Sequence, residues 1–180
     1  MTGKIVVTTS RRPSRRSRSL VKDLVSVLPS ATRFTRGHAS MEDLARLALA
    51  LSASRVVVVS ERKGNPGFIR VYVPRAEPLS LELLSVFSLR GVKLAREVGS
   101  RAPSRPRALY VASDGSEASD RVAEELIKAF HAKLLVDEAP RDSIIASVSA
   151  HGSDLCLVRF FYGGRQVGPE LRLSALFKQD

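Results

Sequence analysis

The hydrophobic positions in the first part of the chain follow two periods, one typical of strands and one typical of helices. Lys4–Thr9 is a short run rich in β-branched residues, which predicts a strand. From about Ser14 the apolar residues lie three and four positions apart, which predicts a helix that ends at Pro29. A second short strand is predicted over residues 32–35. The apolar stripe of the helix consists of Leu20, Leu24, Val27 and Leu28.

Further helix and strand signals complete this half. Ser40 is predicted to cap a second helix, with Asp43 placed to accept a hydrogen bond from the cap residue. Residues 55–60 form an almost unbroken valine run, typical of a strand covered on both faces. Another strand is predicted over residues 68–73, and residues 79–89 fit either a strand or a helix. The buried stripe of the second helix is predicted to be Leu44, Leu47, Ala48 and Leu51.

Similar signals return after residues 100–106, a stretch of Ser, Arg and Pro that is typical of a linker. Strands are predicted over residues 108–112 and 133–136 with a helix between them, and Pro140 is predicted to open another helix. The apolar stripes of these helices are Val122, Leu126, Ile127 and Phe130 in the first, and Ile144, Ile145 and Val148 in the second. The remaining predicted strands are residues 155–161 and 171–177, on either side of Gly163 and Gly164.

The order of these elements indicates an α/β fold that is internally duplicated. Both halves are predicted to follow the order β-α-β-α-β-β, with mixed sheets flanked by helices. Residues 5–7 match residues 109–111 at an offset of 104, and residues 55–58 match residues 154–157 at an offset of 99. A repeat of about 100 residues is best explained by duplication of one unit.

Composition narrows the class of protein. The chain has 180 residues, of which 44% are hydrophobic, enough for one sizeable core or two small ones. No apolar run approaches the length of a membrane span, and a single cysteine excludes an internal disulfide framework. The three histidines lie far apart and beside no cysteine cluster, so no zinc pattern exists. These features predict a soluble, cytoplasmic protein without a metal site.

Positive charge is concentrated in the first half. Residues 1–100 hold 18 Lys and Arg against 7 Asp and Glu, whereas residues 101–180 hold 11 of each. The net charge of +11 therefore belongs to the first half, which predicts that this half contacts a polyanion. Of the 29 basic residues 22 are arginine, whose planar guanidinium can hold a phosphate through two hydrogen bonds.

An arginine cluster lies between the first predicted strand and the first predicted helix. Five arginines fall within eight positions, 11–18, where the helix N-terminus already carries partial positive charge. Because cations are unfavourable there unless an external anion offsets them, the cluster predicts a phosphate-bearing partner. The serines of this segment add hydroxyl donors for phosphate oxygens. The predicted RNA-binding residues are Ser10, Arg11, Arg12, Ser14, Arg15, Arg16, Arg18, Lys22, Arg33 and Arg36.

The aromatic residues favour one mode of recognition over another. The ten Phe and Tyr lie mostly at predicted core positions and the chain has no Trp, so no stacking surface for unpaired bases is predicted. Recognition of the phosphates and the shape of structured RNA is therefore favoured over base-by-base recognition. The chain contains no glycine-rich nucleotide-binding loop. No catalytic residue and no cofactor is predicted.

Three motifs carry a resemblance to a known family. Residues 5–20, which read IVVTTSRRPSRRSRSL, resemble the opening motif of the Brix-domain family of ribosome-biogenesis proteins. Arg36-Gly37 and residues 168–173, which read GPELRL, resemble its later motifs. Two positions depart from the family pattern: the first half has Glu77-Pro78 in place of Gly-Pro, and Glu170 stands where a basic residue is usual.

The resemblance implies a fold and a function. The fold would be a duplicated α/β unit similar to the anticodon-binding domain of class IIa aminoacyl-tRNA synthetases. Residues 1–99 and 107–180 would be the basic and neutral halves of one Brix domain, joined by the linker at residues 100–106. Members of the family bind rRNA and partner proteins during pre-rRNA processing and ribosomal subunit assembly, without catalysis. A chain of this length resembles the archaeal form.

Three hypotheses follow for the function. The first is a non-enzymatic factor that binds rRNA or pre-rRNA through the arginine cluster, while its neutral half contacts another ribosome-assembly protein. The second is a protein-binding scaffold whose arginines contact an acidic partner. The third is an enzyme that uses the cluster to hold a phosphorylated substrate.

Overall fold

The computed structural model describes residues 3–103 and 105–178 and consists of one mixed sheet with helices on both faces. The coarse prediction of an α/β fold with a mixed sheet flanked by helices is confirmed. In chain order the elements are β1 (Lys4–Thr9), α1 (Arg15–Val27), β2 (Ala31–Arg33), α2 (Met41–Ala50), β3 (Ala53–Arg62), β4 (Asn65–Arg75), β5 (Ser80–Lys93), α3 (Ala95–Val98), β6 (Ala108–Ser113), α4 (Glu117–Phe130), β7 (Lys133–Leu134), β8 (Ser143–His151), β9 (Asp154–Tyr162) and β10 (Arg165–Lys178).

The sheet has ten strands in the described residues, and its two halves have the same strand order. The order is β2-β1-β3-β4-β5-β10-β9-β8-β6-β7. In the first half β1 runs parallel to β2 and β3, and β4 and β5 continue antiparallel. In the second half β6 runs parallel to β7 and β8, and β9 and β10 continue antiparallel. The antiparallel pairing of β5 with β10 joins the halves into one sheet.

The helices cover the two faces of the sheet unequally. The apolar faces of α1 and α4 lie over one large core on the same side. Within that core Phe87 of β5 and Phe130 of α4 stack with ring centroids 5.9 Å apart, so the two halves share a single interior. Of the described helices, α2 covers the opposite side of the sheet, with Leu44 and Ala48 against Val56 of β3.

The predicted starts of α1 and α2 are confirmed by their hydrogen bonds. The Ser14 hydroxyl accepts a hydrogen bond from the backbone N–H of Ser17 at the start of α1. Ser40 and Asp43 form the predicted reciprocal capping box of α2. The predicted burial of Leu51 is wrong: this residue follows the last turn of α2 and its side chain is 41% exposed.

The helix predicted to begin at Pro140 is wrong, because this segment enters strand β8. Ile144 and Val148 also fit a period of two, which places both on the face toward the core under α4 and Ile145 on the opposite face. β-branched residues favour this alternative. Residues 135–142 form a loop, so the second half has no counterpart of α2. An open cleft of about 940 Å³ lies at that place, lined in part by Ile145 and Phe161.

The pairing of the strands corrects one expectation and decides an open alternative. The match of residues 55–58 with residues 154–157 predicts that β9 is the counterpart of β3. The strand order instead makes β8 the counterpart of β3, because each of these two strands lies parallel to the first strand of its half. The segment left open between strand and helix, residues 79–89, lies almost wholly in strand β5. The short helix α3 was not predicted; it precedes the linker, in which Ser104 lies outside the described residues.

A buried carboxylate attaches α1 to the segment that connects the halves. The side chain of Asp23 is 2% exposed and accepts hydrogen bonds from the Ala95 N–H, at 2.8 Å, and from the Arg101 guanidinium, also at 2.8 Å. Nearby, a Cβ added to Gly168 of β10 would lie 2.2 Å from the Ala95 Cα. Glycine is therefore required where β10 passes α3. The hydrogen bond from the Ala95 N–H to Asp23 holds α1 at the same place.

We expect Asp23→Ala to lower the free energy of unfolding by about 2 kcal/mol, because the buried Ala95 N–H loses its acceptor. Urea denaturation followed by circular dichroism measures this change. Glu124→Ala provides a control, since Glu124 is an exposed acid on α4 without an ion pair among the described residues. The control is expected to change stability by less than about 0.5 kcal/mol. Equal effects of the two substitutions would contradict the role assigned to Asp23.

Candidate nucleic-acid interface

The predicted site lies where the carboxyl ends of the parallel strands meet. The chain leaves β1 toward β2 on one side and returns to β3 on the other side of β1. The loop at residues 10–14 and the loop at residues 34–40 therefore border the point at which the strand order changes direction. In open α/β sheets ligands bind outside the carboxyl ends of the strands at this point.

The N-terminus of α1 carries positive charge, and one acid, Glu61, is hydrogen-bonded to its cap residue. The carboxylate of Glu61, at the end of β3, accepts hydrogen bonds from the backbone N–H of Ser14 and from the Ser17 hydroxyl. These hydrogen bonds, chiefly those from Ser14, hold the pKa of Glu61 below its ordinary value. The first turn of α1 contains no acidic residue, whereas Arg15 and Arg16 lie within it. This is the reverse of the usual charge preference at a helix start.

The corresponding loop of the second half follows the usual preference. Helix α4 has Glu117 and Asp120 in its first turn. In the loop before it, Asp114 accepts hydrogen bonds from the backbone N–H of Ser116 and of Ala150, which lower the pKa of Asp114. Two backbone donors beside the α4 N-terminus, one from the cap residue and one from β8, are thus occupied by a carboxylate of the chain itself.

Six basic side chains around the α1 N-terminus are exposed and have no carboxylate within ion-pair distance among the described residues. We call this group the arginine surface; it consists of Arg11, Arg12, Arg15, Arg18, Lys22 and Arg33. The first of them donates a hydrogen bond to the backbone carbonyl of His38, 3.2 Å away, which links the two loops of the site. Arg12 has a φ of 54°, a left-handed conformation at the turn between β1 and α1. The arrangement can hold several phosphates at once.

Arg16 is placed differently from its neighbours. Both of its Nη atoms lie within 3 Å of the carboxylate of Glu97 in α3, and it also donates to the Val92 carbonyl. The hydrogen bond from Arg16, followed by that from the Leu94 N–H, lowers the pKa of Glu97 to about 2. The structure therefore places Arg16 in a contact that joins α1 to α3.

Three other predicted site residues also have internal partners. Arg36 is 8% exposed and donates to the carbonyls of Ala39 and Thr9, and burial, together with the charge of Arg11, lowers its pKa. The Ser14 hydroxyl is the α1 cap, and the Ser10 N–H donates to the carbonyl of Val59. Arg36 and Ser14 thus stabilise the two loops through internal hydrogen bonds. The side chains of the arginine surface are instead exposed to solvent.

The structure brings together a cavity that sequence reasoning missed. It has a volume of about 310 Å³ and lies between the two loops and the first turns of α1. Phe34 and Val21 line it together with Arg12, Arg18 and Arg33. Phe34 lies two residues before Arg36-Gly37, one of the family motifs, and this proximity was the available signal. The ion pair of Glu97 had no such signal, because α3 is only four residues long.

Residues 3–103 and 105–178 contain no group of three or more His, Cys, Asp or Glu arranged to hold a metal ion. None of the helices in these ranges combines the length and the apolarity that a membrane crossing requires.

Comparison of the fold places the chain in a structural class. The crystal structure of a probable ribosomal biogenesis protein from Aeropyrum pernix K1 has a TM-score of 0.87 and 44% sequence identity, and 96% of each chain is covered. Mil, an archaeal Imp4-like protein, shares the fold with a TM-score of 0.71 at 23% identity, over 97% of this chain and 99% of that one. The chain therefore has the fold that is shared by this probable ribosomal biogenesis protein and by the archaeal Imp4-like protein Mil.

Sequence relatives then define the family. A probable Brix domain-containing ribosomal biogenesis protein from Aeropyrum pernix is 46% identical over 172 residues, which cover 93% of each chain. A protein of the same name from Methanopyrus kandleri is 32% identical over 176 residues, or 92% of this chain and 90% of the relative. No family model matches the chain. The chain belongs to the Brix-domain family, as its sequence motifs predicted.

The contact between Arg16 and Glu97 predicts a pH dependence. The folded state lowers the pKa of Glu97 from 4.5 to about 2, so this pair stabilises the fold above pH 4.5 and the contribution is lost as the pH falls toward 2. The loss is at most about 1 kcal/mol, because 39% of the Glu97 side chain is exposed and water screens the pair.

We expect Glu97→Gln to flatten the fall in stability between pH 4.5 and pH 2, because glutamine has no proton to gain. Urea unfolding at several pH values in this range measures the slope. Glu124→Gln should leave the slope of the parent unchanged. A parent and an E97Q variant with the same slope would show that the pair is not formed in solution.

Proposed function

We propose that this protein is a ribosome-biogenesis factor that binds rRNA or pre-rRNA during ribosomal subunit assembly. The observation that carries the proposal is the arginine surface: six exposed cations around the N-terminus of α1 with no carboxylate within ion-pair distance among the described residues. Its membership of the Brix-domain family supports the ribosomal context, because the two full-length relatives are named ribosomal biogenesis proteins. The cytoplasmic location remains a prediction.

The proposed contacts are mainly with phosphates. Exposed guanidinium groups from α1 and from the ends of β1 and β2 lie on one surface, and each can donate two parallel hydrogen bonds to a phosphate. Such contacts are independent of sequence and fix the orientation of the RNA backbone on the protein. Of the ten predicted residues, Arg16 is proposed to hold α1 against α3 and Arg36 to position the loop at residues 34–40, rather than to bind RNA phosphates, because their guanidinium groups bind Glu97 and two backbone carbonyls respectively.

The proposed role is binding rather than catalysis, and a protein partner is proposed for the neutral half. The second half has no arginine surface, and its loop at Asp114 is acidic. The open cleft at Ile145 and Phe161, which carries Asp137 and Glu138 on its lining, favours contact with a basic, partly apolar segment of another assembly protein.

The common strand order of the halves supports the proposed origin of the fold. The two halves have the same strand order, in which a central parallel pair of strands is followed by antiparallel strands. We propose that they arose by duplication of one unit and that the fold is related to the anticodon-binding domain of class IIa aminoacyl-tRNA synthetases. The second unit then replaced a helix by the loop at residues 135–142.

We expect the triple variant Arg12→Ala, Arg15→Ala, Arg18→Ala to lose most of its affinity for structured rRNA fragments. Each phosphate contact removed makes the dependence of log affinity on log salt shallower by about 0.7 to 0.9, so the slope should fall by about 2 to 3. Fluorescence anisotropy over a range of salt concentrations measures both quantities.

A matched control separates local contacts from total charge. The triple variant Arg121→Ala, Arg141→Ala, Arg165→Ala removes the same charge from exposed positions of the second half. It should keep both the affinity and the salt slope of the parent. If the two triple variants bind RNA equally well, the arginine surface is not the RNA-binding site.

A further inference from the structure

The cavity beside the arginine surface has the dimensions of a small ligand site. Its volume of about 310 Å³ lies at the lower end of the range for small-molecule pockets, which begins at about 300 Å³. It opens between the turn at Arg12 and Pro13, the α1 residues Arg18 and Val21, and the loop at residues 34–38. A ligand in it would lie at the carboxyl ends of β1 and β2, next to the proposed phosphate contacts.

The walls and the rim of the cavity differ in chemistry. Pro13, Val21 and Phe34 supply apolar surface, and the half-buried ring of Phe34 is the apolar aromatic ring of the lining, in addition to the imidazole of His38. Three exposed arginines, Arg12, Arg18 and Arg33, also line it, and no acidic residue does. A ligand that fits both features has a flat apolar part joined to anionic groups.

Polar groups of the lining are available for hydrogen bonds. The hydroxyls of Thr9 and Thr35 make no hydrogen bond with another described residue. Arg36, which is more than nine-tenths buried, uses its Nε and one Nη for backbone carbonyls, and its second Nη has no partner within the described ranges. These groups can form hydrogen bonds with the polar edge of a ring that enters the cavity.

We propose that this cavity receives one unstacked nucleobase of the bound RNA, with the phosphates on either side of that base held by Arg12, Arg18 and Arg33. The base would lie against the Phe34 ring, since every base has a face that stacks on an aromatic side chain. The inference rests on the proposed function and deepens it: the preferred RNA is structured but contains an unpaired nucleotide. This differs from the expectation of recognition by phosphate and shape alone, because the Phe34 site was not apparent in the sequence.

The test compares two RNA hairpins of equal length. One carries a single bulged 2-aminopurine, and the other carries 2-aminopurine opposite uracil within the stem. We expect the protein to bind the bulged hairpin about tenfold more tightly and to change its 2-aminopurine fluorescence, as expected for one base stacked on an aromatic ring. Phe34→Leu keeps an apolar side chain beside the α2 core but should lose this preference, while its affinity for the paired hairpin stays that of the parent.

Further variants and a competing ligand distinguish a failure of the proposed base site from a failure of the proposed RNA binding. Phe177→Ala, a change at an exposed aromatic residue of β10, should keep the preference of the parent. The R12A/R15A/R18A variant should lose affinity for both hairpins. If the parent and F34L bind the two hairpins equally, the base site is refuted while the proposed RNA binding stands; if the parent binds neither, the proposed function itself fails. Competition by AMP as strong as that by the bulged hairpin would assign the cavity to a free nucleotide and overturn the RNA assignment.

Discussion

Repulsion among cations at the positive end of a helix is the constraint on which this structure depends. Arg15 and Arg18 lie in the first turns of α1, with Arg11 and Arg12 in the preceding loop. Like charges so close to unpaired backbone N–H groups oppose folding. The chain offsets part of this cost with Glu61 at the helix start, and the sheet and core beneath α1 supply the remaining stability. The uncompensated charge is retained on the side that faces solvent.

The comparison between the halves separates what the fold requires from what the site adds. Both halves have a central parallel strand followed by a loop, a serine cap and a helix packed on the same core. In the second half Asp114 accepts hydrogen bonds from the N–H groups of Ala150 and Ser116, and the first turn of α4 carries acids, which is the favourable charge at a helix N-terminus. In the first half arginines replace those acids. The same backbone geometry therefore serves a structural purpose at one place and presents a cationic surface at the other.

Most of the fold could be predicted from the sequence, because its elements carry strong local signals. The stripe of α1, the Ser40 capping box and the valine run of β3 each specify one structure. Residues 143–151 were assigned incorrectly, since their apolar positions fit both a helical and an alternating period and only the neighbouring strands decide between them. The arginine cluster was visible as a run of residues. The pairing of Arg16 with Glu97 and the cavity at Phe34 were not, because both join segments that are far apart in the chain.

The central position of β10 has a consequence for how the molecule is made. This strand comes last in chain order, yet it lies between β5 and β9 in the middle of the sheet. Until it has been synthesised, both neighbours expose unpaired backbone edges, and the shared core around Phe87 and Phe130 remains incomplete. The pairing of β5 with β10 also spans a long stretch of sequence, which slows folding. During translation the basic half thus emerges from the ribosome before its sheet is complete, and a truncated chain lacking β10 would be prone to self-association through these edges.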